Sequence, residues 1–238
     1  MYSTTITDCV VDVALGKVLA CYENIEICEE LMKDFHDLEW KKKITDTKGC
    51  LYGKQYFPWP MATRDMLFHA TGVLDIKNKA FISVSRSIAP GEKYYDYEAQ
   101  PPTSDLVRLH VNAGYNFFQY LGPNKTRHIA IWNTDPQIGY VPTAVLDYFM
   151  TNTLYSLMTN LQHFSKKLDD PENNQDIYKY YEAKKPWYDF GVELLLDYEN
   201  RKHLPKMRIR DCPGHVSHKD HPQHDPNHPN NWEVFDEE

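Results

Sequence analysis

The chain has 238 residues, of which 42% are hydrophobic and 25% are charged, and its formal net charge is −8. This composition predicts a soluble globular protein with a hydrophobic core, and the acidic balance argues against general nucleic-acid binding, which needs a basic surface. No apolar run approaches the roughly 20 residues of a membrane-spanning helix. The five cysteines, an odd number without a C-x-x-C pair, predict reduced thiols in a cytoplasmic protein rather than a disulfide framework.

The first third of the chain predicts one strand followed by two short helices. Residues 4–14 (TTITDCVVDVA) are rich in β-branched side chains, which favour a strand. Residues 15–35 change to the helical spacing of apolar side chains. Asn24 lies in the middle of this stretch and is a suitable N-cap, so we expect a second helix to begin just after it. Residues 40–57 then return to strand character.

The middle of the chain predicts an antiparallel meander. Residues 65–73 and 80–88 form the clearest hairpin, joined by the polar turn DIKNK. A loop with glycine and several prolines, IAPGEKYYDYEAQPP at 88–102, follows. Two further strands, at 106–120 and 126–133, are joined by LGPNK.

The last third predicts helices and a polar tail. From Pro142 to residue 168, apolar side chains recur on one broad stripe that is typical of an amphipathic helix. Residues 169–207 predict a linker and an additional helix at 177–202, with Pro186 as the point where that helix would be interrupted. Residues 208–238 are rich in histidine and proline and predict a disordered tail.

Three short motifs in order resemble the START (steroidogenic acute regulatory-related lipid transfer) domain. They are RD at 64–65, VR at 107–108 and DPQIGYVP at 135–142, which precedes the long helix. The resemblance covers roughly residues 4–168, so we assign 1–168 to a START-like domain. It implies an α+β helix-grip fold, in which a curved antiparallel sheet grips a long C-terminal helix around a lipid-holding tunnel.

The sequence also departs from that family in two respects. A START domain normally has a helix and a first strand before the segment that corresponds to residue 4, and the resemblance predicts that the fold lacks them here. Several members carry a basic residue, pointing into the tunnel, six positions after the arginine of the RD pair. That position is Ala70 in this chain, which favours an apolar or weakly polar ligand.

The RD pair places two opposite charges at the start of an apolar strand. Because side chains alternate along a strand, Arg64, Met66, Phe68 and Ala70 share one face and Asp65 points the other way. The two charges therefore need separate partners, since a buried unpaired charge costs several kcal/mol. Two interpretations of Arg64 remain open: a structural ion pair, or a contact with a lipid head group.

The resemblance suggests a set of ligand contacts on the strands and on the long helix. Arg108 and His110 would share one strand face, together with Asn112 and Gly114, although structural pairing of Arg108 with an acidic residue is an alternative role. The predicted ligand-binding residues are Arg64, Met66, Phe68, Arg108, His110, Val145, Phe149 and Thr153.

The sequence contains no motif for catalysis or for a cofactor. It has no G-x-S-x-G, H-E-x-x-H or glycine-rich phosphate loop, so we predict a protein that is not an enzyme and needs no cofactor. The tail carries five histidines, at positions 215, 218, 221, 224 and 228. Their spacing matches no closed zinc site, and no metal site is predicted.

The predicted function is binding and intermembrane transfer of a single lipid, a phospholipid or a sterol, in an internal hydrophobic tunnel. The predicted partners are the lipid and, transiently, a membrane surface, with the 88–102 or LGPNK loop as a gate. One alternative is a START-like scaffold for protein interaction without bound lipid. Another is a helix-grip enzyme acting on a small molecule, with His110 as general base.

Overall fold

A computed structural model describes residues 3–32, 34–57, 62–137, 142–172 and 174–197, and it describes only the backbone of residues 143, 146, 149, 150 and 154. The elements in chain order are β1 Ser3–Val11, α1 Leu15–Glu23, α2 Ile25–Leu31, β2 Phe35–Thr45, β3 Lys48–Gln55, β4 Arg64–Asp75, β5 Ala80–Ser87, β6 Lys93–Tyr94, β7 Tyr97–Glu98, β8 Val107–Arg108, β9 His110–Gly122, β10 Lys125–Asp135, α3 Thr143–Ser165, a 3-10 turn Lys166–Asp169 and α4 Gln175–Leu196.

Seven strands form one sheet in the order β1-β10-β9-β5-β4-β3-β2, and the two-residue β8 joins it beside β4. All neighbours are antiparallel except β8, which runs parallel to β4. The predicted β4–β5 hairpin and the β9–β10 pair are both present. The prediction of an α+β fold with a large antiparallel sheet and a long helix late in the chain is confirmed.

The two short helices form as the sequence predicts, except that α2 ends at Leu31 and Phe35, which was expected to be helical, begins β2. The side-chain Oδ1 of Asn24 accepts hydrogen bonds from the backbone N–H groups of Glu26 at 3.1 Å and Ile27 at 3.3 Å. These bonds satisfy donors that the first turn of α2 leaves without an intrahelical partner. Asn24 thus ends α1 and begins α2.

The helices pack on one side of the sheet, which we call the inner face and which carries Phe81, Phe118 and His128. The main core joins these strands to α1, α3 and α4 through fully buried side chains such as Val18, Leu161 and Tyr188. The helix α4 therefore belongs to the same hydrophobic core as the sheet.

The helix α4 runs without a break from Gln175 to Leu196, so the expected interruption at Pro186 is wrong. Proline removes one backbone hydrogen bond from a helix interior. Tertiary contacts hold the helix together here, since Tyr188 is fully buried two residues later and its hydroxyl donates to Glu23 at 2.8 Å. Residues beyond 197, including the predicted disordered tail, lie outside the described residues.

The opposite side of the sheet, the outer face, is covered over part of its area by the segment between β5 and β8. Tyr94, Tyr97 and Ala99 of this segment pack against Leu67 and Ile88. The 88–102 loop therefore lies on the side of the sheet away from the helices. It is not placed to gate a cavity beneath α3, and the expectation that it could do so is wrong.

The described cysteines, Cys9, Cys21, Cys28 and Cys50, are free thiols. Burial raises the pKa of Cys28 and of Cys50 to about 12, so both thiols stay protonated near neutral pH. Within the described ranges, no helix is long and apolar enough to span a membrane.

Candidate ligand-binding site

Arg64 begins β4 on the inner face, as the alternation of the strand predicts. Only 3% of its surface is exposed. Its Nε donates to the carbonyl of Pro136 at 2.8 Å and its Nη1 to the carbonyl of Ala62 at 2.7 Å. These bonds tie the start of β4 to the segment that follows β10, so the guanidinium has a structural role at the rim of the inner face.

Asp65 points to the outer face and has its own partner. The parallel pairing of β8 with β4 sets Arg108 directly beside Asp65. The two side chains form a bidentate pair, with Nε–Oδ1 at 3.0 Å and Nη2–Oδ2 at 2.8 Å, and their side chains are 12% and 2% exposed. On the inner face Arg64 is thus hydrogen-bonded to backbone carbonyls, and on the outer face Asp65 is ion-paired with Arg108.

A register shift in β9 determines where His110 lies. Asn133 of β10 is opposite Ala113, but the next residue, Thr134, is opposite Val111, so β9 contains one extra residue at this point. The shift leaves His110 on the outer face, aligned with Asp135. Gly114, beyond the shift, lies on the inner face, and the expectation that it shares a face with His110 is wrong.

On the inner face, several large side chains lie over glycines of the neighbouring strand. Trp132 covers Gly114, and a Cβ added to this glycine would lie 2.9 Å from the indole Cζ3. The same arrangement pairs Trp40 with Gly49, Leu38 with Gly53 and Phe81 with Gly72. These close contacts make the floor of the inner face apolar, with large side chains in place of the missing glycine side chains.

Replacing Gly114 with alanine should raise this floor and destabilise the protein by about 1–3 kcal/mol, as other overpacked cores do. The new Cβ would lie 2.3 Å from Ser85 Oγ and would push Trp132 upward. Chemical denaturation would measure the loss. Gly122→Ala in the same strand is the matched control, since its Cβ would meet only Lys125 Cβ at 3.8 Å; equal stability of the two variants would contradict the close packing at Gly114.

Phe68 and Met66 form part of the same floor. The Phe68 ring meets Trp132 edge to face, with centroids 6.4 Å apart, and Met66 is 5% exposed. Both residues lie on the strand face on which the sequence places them.

A groove of about 420 Å³ runs between β1 and α3, within the range of roughly 300–1,000 Å³ of ligand pockets. On the helix it is lined by Thr151, Tyr155, Met158, Thr159 and Gln162. Val145 is 50% exposed and Thr153 is half-buried, and neither is among the described lining residues of this groove. The side chain of Phe149 lies outside the described residues.

A polar cluster that the sequence analysis missed lies behind the floor of this groove. The ring of His128 is buried, with Nε2 3.1 Å from Asn116 Oδ1 and Nδ1 3.4 Å from Met158 Sδ. It stacks on Phe118 with a centroid separation of 4.5 Å. The hydroxyl of Tyr22, whose ring contacts His128, is buried and makes no hydrogen bond within the described part of the chain. Polar residues at alternate, inward positions of two apolar strands were the available signal.

Burial lowers the pKa of His128 to about 4, so the imidazole is neutral near pH 7. A neutral ring that donates from Nε2 to Asn116 keeps a lone pair on Nδ1. The cluster therefore consists of neutral hydrogen-bonding groups and carries no charge.

The described residues contain no group of three or more histidine, cysteine, aspartate or glutamate side chains that could hold a metal ion. The five tail histidines lie outside them.

No protein-family model matches the chain, and no curated protein matches it. Solved structures do. Human StAR-related lipid transfer protein 5 superimposes with a TM-score of 0.60 at 20% identity, over 70% of this chain and 77% of that one. Human STARD10 gives 0.57 at 18% identity, over 88% and 76%. A STAR-related lipid transfer protein from Xanthomonas axonopodis gives 0.54 at 16%, over 68% and 85%. These likenesses show that the chain has the helix-grip fold of START domains.

Proposed function

We propose that the protein binds a single lipid, a phospholipid or a sterol, between the inner face of the sheet and α3, and transfers it between membranes. The observation that carries this proposal is the floor of flat-lying side chains above Gly49, Gly53, Gly72 and Gly114. A floor of this kind gives an apolar ligand a wide contact surface, and burial contributes roughly 25 cal/mol per Å² of apolar area. The names of the solved neighbours, which are lipid transfer proteins, support the same class of ligand.

The polar groups near the floor favour a ligand head that is uncharged or only weakly polar. Arg64 directs two donors to backbone carbonyls, Ala70 supplies no charge, and His128 is neutral. A hydroxyl or ester group could instead bond to Tyr22. Arg64, Met66 and Phe68 stay in the proposed site, as do Val145, Phe149 and Thr153 as a roof that would close on the lipid. Arg108 and His110 are not part of the proposed site, because both lie on the outer face.

Uptake of the lipid would require α3 to move while the protein rests on a membrane surface. The first half of α3 is well placed for this, since Val145 and Tyr148 are 50% and 73% exposed. The LGPNK turn between β9 and β10 remains the candidate gate. We place this exchange in the cytoplasm, where free thiols such as those of the four described cysteines persist.

A bulky side chain on the inner face at Ala70 should strongly reduce lipid binding without unfolding the domain. Ala70 lies on the inner face between Gly49 and Ser85. Its replacement by phenylalanine should lower lipid occupancy at least about tenfold, equivalent to about 1.4 kcal/mol. Thr71→Phe is the matched control, because the next residue of β4 points to the outer face. Native mass spectrometry after purification without detergent, followed by lipid extraction, measures occupancy in each variant.

The same measurement on the unaltered protein tests the proposal itself. We expect a discrete added mass that is released as one lipid class. A protein that stays free of lipid after incubation with mixed liposomes would overturn the proposal. An equal loss of lipid in Ala70→Phe and Thr71→Phe, with both folded by circular dichroism, would place the ligand elsewhere.

A further inference from the structure

Two adjacent rows of apolar side chains cross the outer face of the sheet. The register sets residues of neighbouring strands side by side, and side chains directly opposite one another on one face are in contact distance. We call these two rows the outer apolar rows. The first consists of Ile6, Ile131, Tyr115 and Val84, and the second of Ile129, Phe117, Ile82 and Val73.

The outer apolar rows are open to solvent. Ile6 is 67% exposed, Val84 is 48% exposed, and Ile131 and Val73 are each 37% exposed. Single exposed apolar side chains are ordinary, but a contiguous patch of more than a few hundred Å² on a soluble protein marks an interaction surface. Each row crosses four strands, and the two rows together cross five strands and cover about 300 Å², which is of this order.

Another apolar part of the outer face is covered by the protein's own chain. Next to the rows, over β3 and β4, the chain covers Cys50 and Leu67 with the β6–β7 segment, through Tyr94 and Tyr97. The outer face remains apolar at the outer apolar rows. The exposure of the rows shows that the β6–β7 segment does not extend over them. Both parts of the outer face are thus apolar, but the β6–β7 segment covers only the part over β3 and β4.

The charges around the rows indicate what kind of partner fits. Neither row contains a charged side chain. At the end of the second row, Arg127 donates two hydrogen bonds of 2.9 and 2.7 Å to Asp8. The two opposite charges therefore compensate each other. An anionic membrane surface is attracted by clustered lysine and arginine, which the rows lack. Two identical neutral faces, in contrast, can meet without like-charge repulsion.

The size of the face also suits a second copy. The outer apolar rows form the apolar centre of a larger face of five strands. With strands about 4.8 Å apart and about nine residues long, at about 3.3 Å per residue, this whole face has a planar area of about 700 Å². A standard interface buries about 800 Å² on each partner. Two sheets commonly pack face to face through alternating apolar side chains.

We propose that the outer apolar rows form the interface of a homodimer, in which two copies pack these faces together around a twofold axis. Such an interface is isologous, since each copy contributes the same rows. It leaves the inner face and α3 free, so the dimer is compatible with lipid binding and does not depend on it.

Sedimentation equilibrium of the full chain, from about 1 to about 100 μM, tests the proposal together with two variants. Val84→Glu introduces a charge in the first row, on β5, three strands from the sheet edge. Tyr148→Glu introduces the same charge on α3, at a residue that is 73% exposed. We expect the unaltered protein to dimerise, Val84→Glu to raise the dimer Kd at least about tenfold, and Tyr148→Glu to leave it unchanged. Val73→Lys, in the second row, serves as the second variant if Val84→Glu does not fold.

Three results would overturn the proposal. The first is a monomer throughout this concentration range, including one that binds only to vesicles or to another protein. The second is a dimer that Val84→Glu, or Val73→Lys in its place, leaves intact, which would point to pairing at the β1 edge instead. The third is a dimer that Tyr148→Glu weakens as much as Val84→Glu does.

Discussion

Replacing Asp65 with alanine should lower the free energy of unfolding by about 3–5 kcal/mol, the loss found when one partner of a buried ion pair is removed. The carboxylate is 2% exposed and holds Arg108 through two hydrogen bonds. Without Asp65 the guanidinium would remain inside the protein, with the carbonyl of Gln100 at 3.4 Å as its other hydrogen-bond acceptor among the described residues. Urea denaturation of the two proteins at neutral pH measures the difference.

The chain offers a matched control for this loss. Asp8 and Arg127 form a bidentate pair of nearly the same geometry, but their side chains are 49% and 41% exposed. Surface pairs contribute little to stability, so Asp8→Ala should destabilise the protein far less than Asp65→Ala. The double variant Asp65→Leu with Arg108→Met should recover much of the loss, because it leaves no unpaired charge. Equal effects of Asp65→Ala and Asp8→Ala would contradict the role of burial.

Lowering the pH from about 6.5 to about 4 should cost the protein about 3 kcal/mol of stability through His128 alone. Burial lowers the pKa of this histidine to about 4 in the folded state, whereas the unfolded chain has an ordinary value near 6.5. Between these two values the unfolded state binds a proton that the folded state does not bind. The contribution of His128 is therefore complete above pH 6.5, declines through this window, and is gone below pH 4.

The variant His128→Gln isolates this effect. Burial also lowers the pKa of His69, and carboxylates titrate at the acid end of the window, so the informative quantity is the difference between the unaltered protein and the variant. Denaturant unfolding at pH 7, 5.5 and 4.5 should show a steeper decline for the unaltered protein. Parallel stability curves would mean that His128 is protonated or solvated in the folded state.

The sequence by itself determined the local structure of this protein. The order of strands and helices, the β4–β5 hairpin and the break between α1 and α2 at Asn24 depend on residues within a few positions of each other. The alternation of β4 is also local, and it correctly placed Arg64, Met66 and Phe68 on the inner face and Asp65 on the outer face. Each of these features follows from a short-range rule of spacing or capping, which a sequence displays directly.

The tertiary structure decided which partners those residues meet. Arg64 binds a carbonyl 72 residues away and Asp65 binds Arg108, 43 residues away, and nothing local specifies either contact. One extra residue in β9 separates the face of Gly114 from that of His110, and packing of Tyr188 keeps α4 continuous through Pro186. Likewise, the groove is lined on α3 by Met158 but not by Val145 or Thr153. Strand register and helix rotation arise from the summed packing of the whole core, so they are set only when distant segments meet.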